Sequence, residues 1–406
     1  MTSNAHFTFS LLVVLASAGC HSEDIAFQAI QNFPIETQVP QLVRGSDGEP
    51  ILLFVESSDS THALRWAQWS EGEWKDTTTV IEDSEMLVNW ADRPQMAFDG
   101  TGNAYAHWLR MDARGDFAYQ IRATRSLDKG KTWETPSQPH RDTSVAEHGF
   151  AQWLTHENGA ALTWLDGRDF EQHPNPMIAR MELRTAEWPH DQDWQEELVL
   201  DSSVCSCCPM DLAQLPDGSF ELLYRDRLQG EIRDFSRSRY VPGDQNPWSS
   251  LGLLHADHWE IAACPVNGAA LSASSTRALA LWYSAADDVA IVKGAWRIGD
   301  SIHFGKPFQL NKQFPIGRVA SACDQKGNFY GIWLETNETG GVDWVGMRWN
   351  QDGTPVTLES EILVPASERR AGGFPTMIGL EGEVMVAWTN PTPEPHIMTA
   401  IWKGPE

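Results

Sequence analysis

The chain has 406 residues, with 56 acidic against 30 basic side chains and a formal charge of −26. That balance excludes a nucleic-acid backbone as partner, because phosphate binding requires a basic surface that releases counterions. Nineteen Trp, 31 Gly and 23 Pro, without a long stretch of helical apolar period, favour short strands and turns over helices.

In chain order, the first feature is an apolar run from Leu11 to Ala18, too short to span a bilayer and followed by small residues and Cys20. Residues 1–20 read as an export signal, and Cys20 stands where a bacterial lipoprotein would be lipidated. No Lys or Arg precedes the run, and Ser17 takes a place where Leu is usual. The expectation is an exported monomer of the periplasm or outer cell envelope. It would touch a membrane only through a lipid anchor at Cys20, with residues 21–406 as one domain.

Seven strand-like runs ending in an aromatic follow: Ile51–Phe54, Ala104–Trp108, Ala160–Trp164, Phe220–Tyr224, Ala278–Trp282, Phe329–Trp333 and Val384–Trp388. Their aromatics lie 51 to 60 residues apart. A period of that size without helical patterning is the signature of propeller blades. Most runs are preceded by a Gly turn, such as Asp47-Gly48 or Asp217-Gly218, and an apolar strand, which together make a hairpin. The fold class is therefore all-β, a single β-propeller of seven blades, with six as the alternative if a terminal unit is a decoration. The last unit stops after its third strand at Trp402, and the spare segment Ile25–Thr37 is expected to complete that blade and hide both edges.

Antiparallel strands reverse at each turn, so the loops into each first strand and out of each second strand share the face opposite the Gly turns. The loops into first strands carry Trp90, Asp92, Arg93, His148, Cys205, Cys207, Cys208, Cys264, Asn267, Arg318 and Arg370. Those out of second strands carry Asp166, Arg168, Tyr224, Arg225, Asp226, Arg233 and Asp234. Loops on a rigid scaffold are where sites are built. Converging guanidiniums in an acidic chain suggest a carboxylate-bearing ligand, gripped at two points. Neighbours such as Arg168 and Asp166, Arg225 and Asp226, or Arg233 and Asp234 could equally neutralise one another. Asp92, Asp166, Asp226 and Asp234 are the general-acid candidates, with His148 as a second acid/base candidate.

Cys205, Cys207, Cys208 and Cys264 share the same rim of adjacent blades. In an exported protein the first expectation is a disulfide from the Cys-x-Cys-Cys loop to Cys264. Metal binding by the thiolates is the alternative, with His255 and His258 near by in sequence; adjacency of Cys207 and Cys208 argues against both reaching one ion. The pattern otherwise requires no cofactor. Cys323 falls inside a strand and reads as a buried thiol.

Ser126-Leu-Asp128-Lys-Gly130-Lys-Thr132-Trp133 resembles the Asp-box of sialidase-like propellers. The series His148-Gly-Phe, Trp164-Leu-Asp-Gly-Arg168, Cys205-x-Cys-Cys208, Tyr224-Arg-Asp226, Glu231-Ile-Arg-Asp234, Trp259, Cys264-Pro-Val-Asn-Gly268 and Gly317-Arg318-Val is similar to a group of bacterial exported proteins labelled sialidase-like or exo-α-sialidase. The resemblance runs from about residue 40 to the end and implies the fold; the rim residues make a sialidase-like hydrolase or lyase, such as a glycosidase acting on an acidic glycan or other anionic substrate, the leading expectation, with a non-catalytic ligand-, metal- or protein-binding propeller as the alternative. Sialidases pair three Arg with a Tyr nucleophile, and Tyr224 is the residue nominated here, although its place in the aromatic repeat also suits packing. The Arg-Ile-Pro signature of those enzymes is absent.

Overall fold

The computed structural model describes residues 27–75, 77–173 and 179–404, so the expected export signal at residues 1–20, with Cys20, lies outside the described residues. Seven antiparallel sheets form seven blades, and the six-blade alternative is not realised. First strands of neighbouring blades pack against one another around the ring. Blade 1 is Thr37–Arg44, Pro50–Ser57, His62–Ser70 and Thr78–Asp83; blade 4 is Asp211–Gln214, Phe220–Arg225, Phe235–Tyr240 and Trp248–Leu253.

Each aromatic run is the second strand of its blade, where both faces are covered by neighbouring sheets. Trp108, Trp164, Trp282 and Trp333 are buried there, and each indole N–H finds a carboxylate: Asp83 at 3.1 Å, Asp166 at 2.8 Å, Asp257 at 2.7 Å and Glu335 at 2.8 Å. Satisfying that one donor lets the large ring stay in the core.

Blade 7 is built from Thr376–Gly379, Glu383–Asn390 and His396–Lys403, and Phe27–Ile35 pairs antiparallel with the last of these. The N-terminal strand thus closes the ring, as the incomplete last repeat required. Phe27 packs on Trp388 and Trp402, while Phe33 reaches Phe54 and Trp74 of blade 1.

The Asp-box joins the third strand of blade 2 (Tyr119–Ser126) to the Glu134–Ser137 segment, on the turn face. Asp128 accepts the Thr132 N–H at 2.8 Å and its hydroxyl at 2.7 Å. Gly130 has φ +81°, and an added Cβ would lie 3.0 Å from the Trp66 ring, so this turn is tied to blade 1 by shape.

Three first strands carry a bulge at the loop face, with Val39, Phe150 and Arg318 at φ near +50°. A bulge frees a backbone donor. The preceding blade supplies the acceptor each time: Thr389 for Val39 at 3.2 Å, Asp92 for Phe150 at 2.7 Å and Asn267 for Arg318 at 2.8 Å.

Candidate functional site

The first strands enclose an axial cavity of about 520 Å³, whose polar lining includes Gln41, Arg93, Gln95, Gln152 and Asp211. At the loop face an apolar cluster gathers Trp90, Phe150, Cys207, Met210, Val266 and Phe374, drawn from the loops of five different blades. Phe374 gets there because the loop before Thr376–Gly379 reaches over to blade 2. Trp90 stacks on Phe374 at 5.8 Å with an interplanar angle of 11°.

Arg318 holds that loop in place. Its guanidinium donates to Glu368 O at 2.8 Å and to Arg369 O and Gly373 O at 3.1 Å, and lies 4.9 Å from the Trp90 ring centroid. Burial lowers its pKa to about 10, with Glu368 acting in the opposite direction. Arg93 reaches Pro375 O at 3.4 Å; Arg370 is exposed on the same loop.

Beside Trp90, the Asp92 carboxyl is buried, with Oδ1 on the Phe150 N–H and Oδ2 without a hydrogen-bond partner. Burial, helped by nearby Glu147, pushes it up to about 8 against the Phe150 bond. Gly149 is required here, since a Cβ would come within 2.0 Å of Asp92 Oδ2 and 2.8 Å of the Tyr119 ring. Glu147, half-buried, is itself pushed up to about 7 by burial and by Cys264. Two protonatable carboxyls thus sit beside an aromatic shelf.

The other nominated residues are placed in tight internal networks. Asp166 is buried, bonded by Arg168 through Nε at 2.7 Å and Nη2 at 2.6 Å; Arg168 also reaches Glu197 at 2.6 Å. Burial disfavours the Asp166 anion, but Arg168, His148 and Trp164 outweigh it and hold the group at about 2. His148 is buried, stacked on His140 with centroids 4.0 Å apart, and bonds Asp142 at 3.1 Å. Tyr224 donates to Asp201 at 3.0 Å from within the apolar cluster. Burial, Asp201 and Asp226 raise its phenol pKa, opposite to the shift that activates a nucleophile.

Asp226 takes the Ser236 hydroxyl at 2.6 Å and is raised to about 6 by burial. Asp234 accepts the backbone N–H groups of His258 at 2.9 Å and Trp259 at 3.1 Å, shaping their loop. Arg233 pairs with Glu231 at 2.5 Å, and not with adjacent Asp234. Arg225 is buried and donates only to carbonyls, Asn267 O, Arg233 O and Tyr283 O, between the Phe235 and Trp259 rings.

Cys205, Cys207 and Cys208 converge. Cys205 Sγ is 3.9 Å from Cys207 Sγ and 3.7 Å from Cys208 Sγ, and all three lie within 4.8 Å of one another. Adjacency of Cys207 and Cys208 therefore does not keep them apart. Cys264 is exposed, 3.6 Å from Ser206 Oγ, and all five described cysteines are free thiols. His255 is engaged by Asp257 at 2.8 Å. Cys323 ends its strand half-buried on the cavity wall.

Glu147, Tyr119 and Asp211 are not among the residues that the sequence pattern singles out. Asp211 lines the cavity, bonded by the Leu271 N–H at 2.7 Å and raised to about 6 by burial. A signal existed for Glu147 and Asp211, which open first strands as Asp92 and Asn267 do; none existed for Tyr119.

No family model and no curated protein matches the chain. Among solved structures it is similar to the BP39L lectin of Burkholderia pseudomallei, at TM-score 0.58 and 11% identity over 93% of this chain and 99% of that one. The polysaccharide lyase Uly1 gives TM-score 0.52 and 9% identity over 92% and 91%. A Trypanosoma rangeli sialidase in complex with the inhibitor DANA gives 0.47 and 10% over 82% and 56%. The likenesses to the lectin and the lyase agree with the class that the seven sheets define: a seven-bladed β-propeller. Identities near 10% carry the fold alone.

Proposed function

We propose that the protein acts on a carboxylate-bearing glycan, or a similar anionic small molecule, held at the loop face beside Trp90. The observation that carries this reading is the placement of two guanidiniums at the 366–375 loop, Arg370 within it and Arg93 of blade 2 bonded to its Pro375 carbonyl, neither within 4 Å of a carboxylate among the described residues. In a chain of net charge −26 guanidiniums are expected to find carboxylates; Arg93 has only Asp211 at longer range and Arg370 is open to solvent, so the pair offers a place for an anion. Trp90 and Phe374 supply the apolar face on which a sugar ring can rest. Glu147 and Asp92, both raised toward neutrality by burial, are the groups able to deliver a proton there. Neighbours of the same fold named as a lectin and a polysaccharide lyase are compatible with both binding and turnover. Residues 1–20 as an export signal, with Cys20 as the lipid site, would bring the propeller to envelope glycans.

The test is retention and turnover of sialosides and uronate-containing oligosaccharides by the purified protein. Weakened retention in Arg370→Ala and Arg93→Ala, and loss of any turnover in Glu147→Gln, is expected. Failure to retain any acidic glycan, or retention unchanged in both arginine variants, overturns the proposal.

A further inference from the structure

Four of the six cysteines lie on one rim, and a glycan site has no use for them. We propose that Cys205, Cys207 and Cys208 form a binding site for a soft d10 metal ion, Cu(I) or Zn(II), with Cys264 as an outer fourth ligand.

Sulfur spacing is the first support. Thiolates around zinc sit about 2.3 Å from the metal, so their tetrahedral edge is about 3.8 Å. The Cys205 pairs, at 3.9 and 3.7 Å, bracket that edge. A disulfide needs about 2.05 Å and leaves one of three thiols over, whereas a metal uses all three.

Charge is the second and independent support. Arg225 is buried with only carbonyls and aromatic rings as partners, and a buried cation without a counter-charge is costly. Arg233 also has a buried Nε lacking a hydrogen-bond partner. The Cys205 N–H donates to the Arg225 carbonyl at 2.9 Å, which sets the two residues side by side. On binding, three thiols give their protons to solvent, and three thiolates with a mono- or divalent ion leave a net negative centre. Arg225 and Arg233 are its natural counter-ions. The all-sulfur donor set selects thiophilic ions over Mg(II) or Ca(II).

Cys264 comes from the next blade and is exposed, so it covers the outer side of the site. Three sulfurs suffice for Cu(I); tetrahedral Zn(II) calls on the fourth.

The experiment is anaerobic titration of the fully reduced full-length chain with Zn(II) and, separately, with Cu(I) against a competing chelator. One equivalent is expected to bind and to shield three or four thiols from alkylation. Cys208→Ser should lose roughly a hundredfold in affinity for either ion, and Cys323→Ser none. Cys264→Ser distinguishes the ions, since it should weaken Zn(II) and spare Cu(I). Alkylation protection in the unmodified chain gives the answer independently if a variant misfolds. Absence of uptake by reduced protein, affinity unchanged in Cys208→Ser, or a metal-free Cys205–Cys208 disulfide in protein purified without reductant overturns the site. None of these readouts involves a glycan, so this proposal and the preceding one fail separately.

Discussion

Asp92 in blade 2 and Asn267 in blade 5 do the same work: each side-chain oxygen takes the N–H freed by a bulge in the next blade, Phe150 at 2.7 Å and Arg318 at 2.8 Å. One is a neutral amide and the other a carboxyl that burial drives toward its neutral form. Charge at Asp92 is unnecessary for the join.

Asp92→Asn is therefore expected to preserve the fold and alter its pH dependence. With a folded pKa near 8 against 3.8 unfolded, the folded state holds a proton that the unfolded state releases between those values. This group alone then costs the wild type about 1.4 kcal/mol of stability per pH unit as pH rises across that window. Urea unfolding of both proteins from pH 5 to 8 should show the variant overtaking the wild type as pH rises. Parallel curves would show that Asp92 does not retain its proton.

Asp166 has the opposite sign. Its folded pKa near 2 lies below 3.8, so its contribution is complete above about pH 4 and disappears as pH falls toward 2. That portion amounts to about 2 kcal/mol. Asp166→Asn should flatten the acid limb of the stability curve. It should also cost roughly 3–5 kcal/mol at pH 7, because Arg168 loses its buried counter-charge and one amide oxygen remains where two carboxylate oxygens served Arg168 and Trp164. Acid denaturation followed by tryptophan fluorescence reads both effects.

Glu221, in the second strand of blade 4, bridges Arg237 of its own blade at 3.1 Å and Arg297 of blade 5, all three buried. Removing one member of such a group leaves charges unpaired. Glu221→Ala should cost roughly 3–5 kcal/mol, and Glu221→Gln less, since the amide still accepts. Equal urea midpoints for wild type and Glu221→Ala would be inconsistent with the bridge.

Phe33 ties the closing strand to blade 1 through Phe54 and Trp74. Truncation to Ala should cost roughly 3 kcal/mol. Hydrogen exchange should speed up first in His396–Lys403, the strand it protects. Uniform acceleration in all blades would instead mean that the ring opens as one unit.

The ring, its seven units, the Asp-box and the closing strand were legible because each leaves a period or a spacing in the sequence. Topology alone also brought the loop-face residues to one end. Partners were not legible. Arg168 with Asp166 follows from adjacency, but Arg233 takes Glu231 and bypasses Asp234, a choice made by loop shape. The turn that brings Cys207 and Cys208 together is equally invisible, and sequence adjacency pointed the other way. Asp92 owes its shifted pKa to burial and to Glu147 of the next blade, which come about only in three dimensions. The long loop bearing Phe374 crosses to blade 2 with no marker beyond its glycines.

A chain whose first strand pairs with its last cannot finish assembling in the order in which it is made. Phe27–Ile35 emerges early yet has no partner until His396–Lys403 arrives, so six blades can form while the seventh stays open. During that interval an unpaired sheet edge and the Trp402 face are available to other chains. Crowded synthesis should therefore select for helpers that shield this seam.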